Sequence, residues 1–408
     1  MLKSKVGKEM KLRALAKFDN SMVLIKSVPR YITLVMGLAI YTLMLSAFST
    51  TFFSDIIIAY SIAGILLWLA DFGSSNWMLL HSGDDNIAGL RQEWTGKLIR
   101  ICVLGTLSFT FFKFLQDDSP LAVLVFVCML DLDSDTSLGL RQLIYSLKTA
   151  AIIQIAKKGF QLISLICWEL LNWPENIFLF AFIFLLPVIM VKLLDTKQIG
   201  GFKFQAHGET LKNSFPMWLQ GGFSPLSNLD LVLLSLLGSE TLVVTLAFAK
   251  KIISSLFILG TTLSAETLGS KKLKKESLDS LMFSPAVKSV LVFSTFLSVL
   301  LIVFLNYVLS LLGSSQSNSL NTSVLILTIS TIPINILASY YNTLLIKSRH
   351  ILLAACQGYS SVLFYLILIL GFGLLNRPEI GLMISLVCRV FVELTTGLFF
   401  LRYAALRA

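Results

Sequence analysis

An all-α integral membrane protein is the fold class that the sequence predicts, and three observations support it. Of the 408 residues, 56% are hydrophobic and only 14% are charged, and the mean hydropathy is +0.82. A water-soluble domain cannot cover that much apolar surface. The apolar residues are gathered in runs of about 20, the length that crosses a bilayer as a helix. Lysine and arginine are concentrated in alternate connections between these runs, which is typical of a polytopic membrane protein.

Cutting the chain at its clusters of Gly, Pro, Ser, Asn and charged residues predicts about twelve transmembrane helices. In order, the predicted helices are 29–50, 56–80, 98–115, 120–143, 150–171, 177–194, 215–237, 241–268, 285–312, 324–346, 351–375 and 380–403. The connections on one side are all short, so no external domain is expected.

The distribution of basic residues orients these helices. With the N-terminus inside, nearly all lysine and arginine residues in the connections and at the span ends fall on the cytoplasmic side, and only Lys113 and Arg377 fall on the other. Adding or removing one helix would reverse every later connection. We therefore predict that both termini are cytoplasmic, with the basic segment 1–28 on the cytoplasmic membrane surface.

A weak internal repeat predicts two lobes. Lys26-Ser-Val-Pro29 opens the first predicted helix, and Lys212-Asn-Ser-Phe-Pro216 opens the seventh. Many secondary transporters consist of two such repeats with the substrate site between them. We predict a six-helix lobe at 29–194, a cytoplasmic linker at 195–213 and a second six-helix lobe at 214–408, arranged around a central cavity.

Five cations lie deep inside the predicted spans, away from the charges at the helix ends. Their side chains lie about 15 Å from the nearest helix end, near the middle of a core about 30 Å thick. Charges at that depth are expensive and usually mark a transport pathway. Neighbouring helical residues point about 100° apart, so one lysine of each pair is expected to face a cavity and the other to pair. These candidate substrate-binding cations are Lys157, Lys158, Lys250, Lys251 and Arg389.

Acidic residues also lie inside the predicted spans and are the candidate gating or coupling groups. Asp131 and Asp135 share one helix face, and Glu393 follows Arg389 by one helical turn, so ion pairs that only fix helix packing are the alternative interpretation. Asp71 near a helix end is a candidate gate or a cap. The candidate acids are Asp71, Asp131, Asp135, Asp230 and Glu393.

Other classes of function are disfavoured. The basic charge is spread over connections rather than gathered in one patch, which argues against nucleic acid as a partner. The five cysteines have no metal-like or disulfide-like spacing and are predicted to be buried small hydrophobic residues. The histidines lie in connections, and no phosphate-binding glycine loop is present, so we predict no catalytic residue, metal or cofactor and no direct use of ATP.

Short motifs resemble one known family. The runs Ser214-Phe-Pro216, Asn228-Leu-Asp230 and Ala247-Phe-Ala249-Lys250, together with Leu69-Ala70-Asp71-Phe72-Gly73, are similar to bacterial polysaccharide flippases. These are the O-antigen and capsule-unit translocases of the multidrug/oligosaccharidyl-lipid/polysaccharide (MOP) exporter superfamily. The resemblance covers the whole chain in architecture, while its motifs are short.

The resemblance implies a flippase that moves a polyprenyl-diphosphate-linked oligosaccharide from the cytoplasmic to the periplasmic leaflet of the bacterial inner membrane by alternating access. It implies membrane lipids and the lipid-linked substrate as partners, with a glycan polymerase and chain-length machinery as further candidates. The midplane cations would then hold the diphosphate. Three alternatives stay open: a multidrug/cation antiporter of the same superfamily, a membrane glycan polymerase or ligase, which is an enzyme, and a transporter of a lipid-linked peptidoglycan precursor. A long external loop, expected of the polymerase or ligase, is missing from the predicted topology. The branch that carries peptidoglycan precursors usually has more helices than the twelve predicted.

Overall fold

The computed structural model describes residues 32–74, 87–115, 119–136, 141, 145, 147–201, 208–269, 285–311, 320–347 and 350–407. Within these residues the chain is helical and contains no strand. The predicted N-terminal surface segment, 1–28, lies outside them.

The described residues of the N-terminal half form six helices, each of which overlaps one predicted span. They are α1 (Ile32–Ala47), α2 (Thr50–Asp71), α3 (Ile87–Leu115), α4 (Ser119–Thr136), α5 (Leu147–Leu170) and α6 (Ile177–Ile199). Side-chain caps define several starts: the Ser49 hydroxyl accepts from the Phe52 amide, and the Asn176 side chain accepts from the amides of Phe178 and Leu179. Such caps satisfy amide groups that the first helical turn leaves unpaired.

The C-terminal half begins with helices shorter than predicted. Its helices are α7 (Gly208–Gly221), α8 (Phe223–Leu226), α9 (Leu229–Leu236), α10 (Glu240–Gly269), α11 (Pro285–Leu311), α12 (Thr322–Ser330), α13 (Ile332–Lys347), α14 (Ile351–Leu374) and α15 (Pro378–Arg407). Because α6 runs to Ile199 and α7 begins at Gly208, helix occupies much of the segment predicted as a linker.

The prediction of one continuous helix at 215–237 is wrong. The chain breaks after Gly221 and again around Asn228, giving α7, α8 and α9. Pro225 has no amide hydrogen and cannot continue the helical hydrogen bonds. At Gly222 a Cβ atom would collide with Trp68 and Tyr359, so the close approach of these two side chains also requires glycine here. The predicted helix 324–346 is likewise divided at Thr331, where α12 and α13 meet at a bend of 42°.

α2 lies at the centre of the bundle. Ten of its 22 residues are buried, including Phe53, Ile56 and Ala63. It packs on α3 and α4 of its own half and on α7 to α10 of the other half. A helix that is apolar on all sides is expected to be enclosed by other helices. α2 therefore contacts both halves and borders the space between them.

Six of the described helices are long and apolar enough to cross a membrane by themselves. They are Thr50–Asp71, Arg91–Lys113, Thr149–Leu170, Ile177–Ile199, Ile351–Leu374 and Pro378–Ala404, and the bent pair α12–α13 adds a seventh when taken as one span. The chain is a multi-pass membrane protein. Each predicted apolar run contains helix, while the count of about twelve spans, the division into lobes and the cytoplasmic termini stay predictions.

The cysteine prediction is wrong for three of five residues. Cys128 is buried and Cys388 is partly exposed, but Cys102, Cys167 and Cys356 are exposed on the surface of the bundle. A membrane protein keeps apolar residues on its periphery, where lipid replaces water, so an apolar sequence context does not distinguish its core from its outer surface.

The substitution Gly73→Ala tests the packing between α2 and α7. The φ of Gly73 is +71°, and an added Cβ would lie 2.7 Å from the Ser214 carbonyl oxygen and would also overlap the Trp218 backbone. We expect Gly73→Ala to destabilise the protein by about 1–3 kcal/mol, because alanine disfavours positive φ and the backbone cannot move aside cheaply. The measurement is thermal unfolding of the purified protein in detergent. Gly221→Ala is the matched control, since no atom lies within 4 Å of its added Cβ; an equal loss in both variants would contradict the argument.

Candidate functional site

A cavity of about 590 Å³ lies between the two halves. All six helices of the N-terminal half and α7 to α10 of the C-terminal half supply lining residues. Tyr41, Tyr60, Trp68 and Trp218 give it aromatic walls. The predicted central cavity is therefore present, and each half supplies part of its wall.

Seven charged residues of the described ranges line this cavity. They are Asp71, Lys97, Asp131, Asp135, Lys158, Lys250 and Lys251. Four lysines against three aspartates leave a formal excess of one positive charge. Charged groups between spanning helices are stable only when they are paired or solvated, so their partners decide what the cavity can bind.

The first cluster joins α4 and α5. Lys157 is buried, and its Nζ lies 2.9 Å from Asp131 Oδ1 and also contacts Asp135. Lys158 lines the cavity, and its Nζ lies 2.8 Å from Asp135 Oδ2. The Tyr60 hydroxyl donates to Asp131 Oδ2 at 2.9 Å. These four charges are paired, as in the alternative interpretation of the sequence, and Lys158 is the member that reaches the cavity.

A second cluster was missed because its lysines were assigned to cytoplasmic connections. Lys97 is only 3% exposed, and its Nζ lies 2.8 Å from Asp71 and 2.9 Å from Asp133. Lys192 approaches the other oxygen of Asp133. The candidate gate Asp71 is thus held by a lysine of α3. Both lysines lie near the ends of the predicted apolar runs, but α3 begins ten residues before Lys97 and α6 continues seven residues past Lys192, so both remain within helices that pack on α4.

The third cluster lies in the C-terminal half. The Lys250 ammonium contacts Asp230 Oδ1 at 2.7 Å, and the Tyr365 hydroxyl donates to Asp230 Oδ2 at 2.7 Å. Asp230 is fully buried and is not among the cavity-lining residues, whereas Lys250 is. Two candidate site residues from neighbouring helices of the C-terminal half, Asp230 and Lys250, therefore form an ion pair.

The prediction that Arg389 lines the cavity is wrong. Arg389 lies over the Tyr365 ring, 5.1 Å from the ring centroid, and is not among the described residues that line the cavity. The described part of the chain shows no ion pair between Arg389 and Glu393, although the two are one helical turn apart on α15. Helical spacing permits a contact, but here the arginine turns to an aromatic ring of α14 instead.

The expectation that only one lysine of each pair faces the cavity is also wrong at 250–251, where both do. Lys251 points toward α1, with its Nζ 5.7 Å from the centroid of the Tyr41 ring. The cavity wall extends around α10, and four methylene groups let each ammonium reach it from a different side. Lys158 lines the same cavity, so each half contributes cations to its wall.

The two halves touch at both ends of the bundle. At the end where α2 and α10 begin, the Thr51 hydroxyl donates to Glu240 Oε2 at 3.0 Å. At the opposite end the Trp68 and Trp218 rings stack with centroids 4.6 Å apart. Each indole N–H donates to the backbone carbonyl of the other tryptophan, at 3.0 and 3.2 Å. The cavity therefore lies between two sets of contacts that join the halves.

Comparison with solved structures relates the whole chain to one group of transporters. An inward-facing multidrug resistance MATE family transporter of the MOP superfamily superposes with a TM-score of 0.64 at 16% identity, covering 94% of this chain and 98% of the other. The lipid II flippase MurJ in an inward closed conformation gives 0.68 at 15% identity, covering 93% and 87%. A MOP superfamily transporter from Pyrococcus furiosus, described as having a binding pocket of reverse polarity, gives 0.56 at 14% identity, covering 94% and 95%.

The predicted fold class is confirmed by these similarities. The described part of the chain has the all-helical fold of these solved transporters, with a cavity between its halves. A scan of protein-family models finds no match, and neither does a search of curated protein sequences. At such low identity the structural likeness establishes the fold, and the substrate must be argued from the cavity itself.

Proposed function

We propose that this protein is a flippase for a polyprenyl-diphosphate-linked oligosaccharide, an O-antigen or capsule repeat unit, moving it from the cytoplasmic to the periplasmic leaflet of a bacterial inner membrane. The observation that carries the proposal is the set of lysines in the cavity wall: Lys158 from one half and Lys251 from the other. A diphosphate that leaves water needs charge-assisted hydrogen bonds to replace its hydration, and opposing lysines can supply them.

The remaining lining fits the same substrate. Lys97 adds a third cation, while Tyr41, Tyr60 and Trp68 offer aromatic faces on which sugar rings can pack. Lys97 and Lys158 line the cavity while also contacting aspartates. Lys157 is not among the described lining residues, and all three donors of Lys250 have oxygen partners, so in this proposal these two lysines set the electrostatics of the wall without touching the substrate. Asp71, Asp131, Asp135 and Asp230 hold the lysines in place, and their gating or coupling role stays a prediction, as does that of Glu393.

A second candidate is a multidrug/cation antiporter, which the likeness to a MATE family transporter favours. Organic cations bind best to acidic, aromatic cavities. Here the aspartates at the wall are engaged by lysines, so a cationic drug would have to displace an ammonium group. The free energy needed to break these ion pairs favours an anionic substrate over a cationic one. Partners such as a glycan polymerase and chain-length machinery belong to the flippase proposal.

Deletion of the gene in its source bacterium tests the function. Loss of the surface polysaccharide on a gel, with complete lipid-linked repeat units accumulating at the cytoplasmic leaflet, is the expected result. A second arm measures binding to the purified protein of a polyprenyl-diphosphate-linked oligosaccharide, a polyprenyl monophosphate and a cationic dye. Unchanged glycan together with preferential binding of the dye would favour the antiporter instead.

Lys251→Ala tests the diphosphate contact. Hydrogen bonds to charged groups contribute about 1.5–3 kcal/mol, so export is expected to fall about 10-fold to 100-fold while Lys251→Arg retains much of it. Export is measured as surface polysaccharide relative to the amount of protein in the membrane. Lys113→Ala, which removes an exposed lysine of α3 away from the cavity, is the matched control. Equal export by all three variants would remove Lys251 from the site.

A further inference from the structure

The break between α8 and α9 gathers oxygen atoms around one ammonium group. Lys250 Nζ lies 3.0 Å from the Ser227 carbonyl oxygen, 3.4 Å from Asn228 Oδ1 and 2.7 Å from Asp230 Oδ1. A lysine ammonium has three N–H donors and no acceptor. All three donors therefore have an oxygen partner, supplied by a carbonyl, an amide and a carboxylate.

The oxygens are held by the surrounding helices rather than by the lysine. Asp230 Oδ2 accepts from the Tyr365 hydroxyl of α14, and Asp230 Oδ1 accepts from the Leu231 amide at 2.7 Å. Asp230 is fully buried, while Asn228 and Lys250 line the cavity and are reached from it. The set of oxygens is thus built into the fold and open on one side to the cavity.

Oxygen atoms of this kind form cation sites in membrane transporters. Where a spanning helix is broken, its exposed carbonyl groups and neighbouring oxygens coordinate alkali cations near the midplane. Hard cations prefer carbonyl, amide and carboxylate ligands. In this chain the position of such an ion is taken by an ammonium group that the protein itself carries.

We propose that Ser227 O, Asn228 Oδ1 and Asp230 Oδ1 form a monovalent-cation site whose resident cation is the Lys250 ammonium. The site is filled without a dissociable metal ion, and shortening residue 250 converts it into a site for Na⁺ or K⁺. This inference deepens the proposed function. It rests on that proposal in one respect only: Lys250 occupies the cation site, whereas its neighbour Lys251 contacts the substrate.

Arg389 is a nearby cation that could take the place of Lys250 beside Asp230. Arg389 lies over the Tyr365 ring, 5.1 Å from its centroid, and has a buried Nε atom without a hydrogen-bond partner in the described residues. If Lys250 were removed, the guanidinium could turn to Asp230 and neutralise it. A variant neutralised in that way would bind no ion, so the two outcomes are experimentally distinct.

The test is thermal unfolding of the purified full-length protein in NaCl, KCl and choline chloride at equal ionic strength. We expect the wild type to unfold at the same temperature in all three. Lys250→Ala should unfold at a lower temperature in choline chloride and be stabilised by Na⁺ or K⁺ in a saturable manner. At an ion concentration of about 100 times Kd, binding to the folded state raises the ratio of folded to unfolded protein about 100-fold.

Three variants make the result specific. Lys251→Ala removes the adjacent lysine of the same helix and should gain no ion response. Lys250→Ala/Asp230→Asn removes the charged ligand and should lose the response, and Lys250→Met fills the space with apolar atoms and should not gain one. Equal unfolding temperatures of Lys250→Ala in all three salts would overturn the proposal and favour neutralisation by Arg389.

Lys250→Ser is measured in parallel, in case the alanine variant accumulates poorly. Failure of both variants to accumulate in cells grown at high sodium would also contradict an ion-binding site. No substrate enters this assay, so its outcome is independent of whether the protein moves a lipid-linked oligosaccharide. The gene-deletion and substrate-binding experiments decide that question separately.

Discussion

Arg141→Ala is expected to cause the largest loss of stability of the single substitutions considered for this protein. Arg141 is fully buried, and its guanidinium donates to Asp195 Oδ2 at 2.8 Å, to the Ser134 carbonyl oxygen at 2.9 Å and to Gln154 Oε1 at 3.0 Å. These partners belong to α4, α5 and α6. Removing one member of a buried ion pair costs about 3–5 kcal/mol, because the other charge is left without a partner.

The measurement is thermal unfolding in detergent, together with the amount of folded protein in the membrane. Arg402→Ala, which removes an exposed arginine of α15, is the matched control and should have little effect. The double variant Arg141→Met/Asp195→Leu removes both charges and should recover much of the loss, since a buried ion pair can often be replaced by apolar residues. A double variant as unstable as Arg141→Ala would show that the guanidinium acts through its contacts with α4 and α5 instead.

The spanning helices could be predicted because the bilayer imposes a length and a composition on each of them. The predicted 177–194 run corresponds to α6, and 351–375 corresponds to α14, within a few residues. The breaks in 215–237 and 324–346 could not be located from hydropathy. A single proline or a pair of glycines hardly changes the mean hydropathy of a run of about 20 residues. Pro225 was a visible signal for the first break and was outweighed by the apolar residues around it.

The charge clusters were predictable only where partners are close in sequence or on consecutive helices. Asp131 and Asp135 lie one turn apart on α4 and meet the lysines of the next helix, as expected. Arg141 and Asp195, by contrast, are 54 residues apart and pair because α4, α5 and α6 pack side by side. A positive charge at a helix end satisfies the topological rule whether it is solvated or buried. The positive-inside rule therefore could not show that Lys97, Arg141 and Lys192 are buried in ion pairs rather than solvated.

Cross-linking the halves at the end where α2 and α10 begin is expected to abolish transport. Alternating access requires the two halves to separate there when the cavity opens to the far side. The Thr51 hydroxyl and Glu240 carboxylate, 3.0 Å apart, join the halves at this end. Cysteines at positions 51 and 240, joined by a short bifunctional thiol reagent in a variant without the five native cysteines, should stop export almost completely. Reduction of the cross-link should restore it.

The matched control lies at the same end of the bundle. Ser49 Oγ donates to Glu175 Oε2 at 2.9 Å, and both residues belong to the N-terminal half. Cysteines at positions 49 and 175, treated with the same reagent, should leave export largely intact, because a half that moves as a unit does not change this distance. Loss of export in both cross-linked pairs would mean that movement within the N-terminal half is needed. Normal export with 51 and 240 fully cross-linked would contradict separation of the halves at this end.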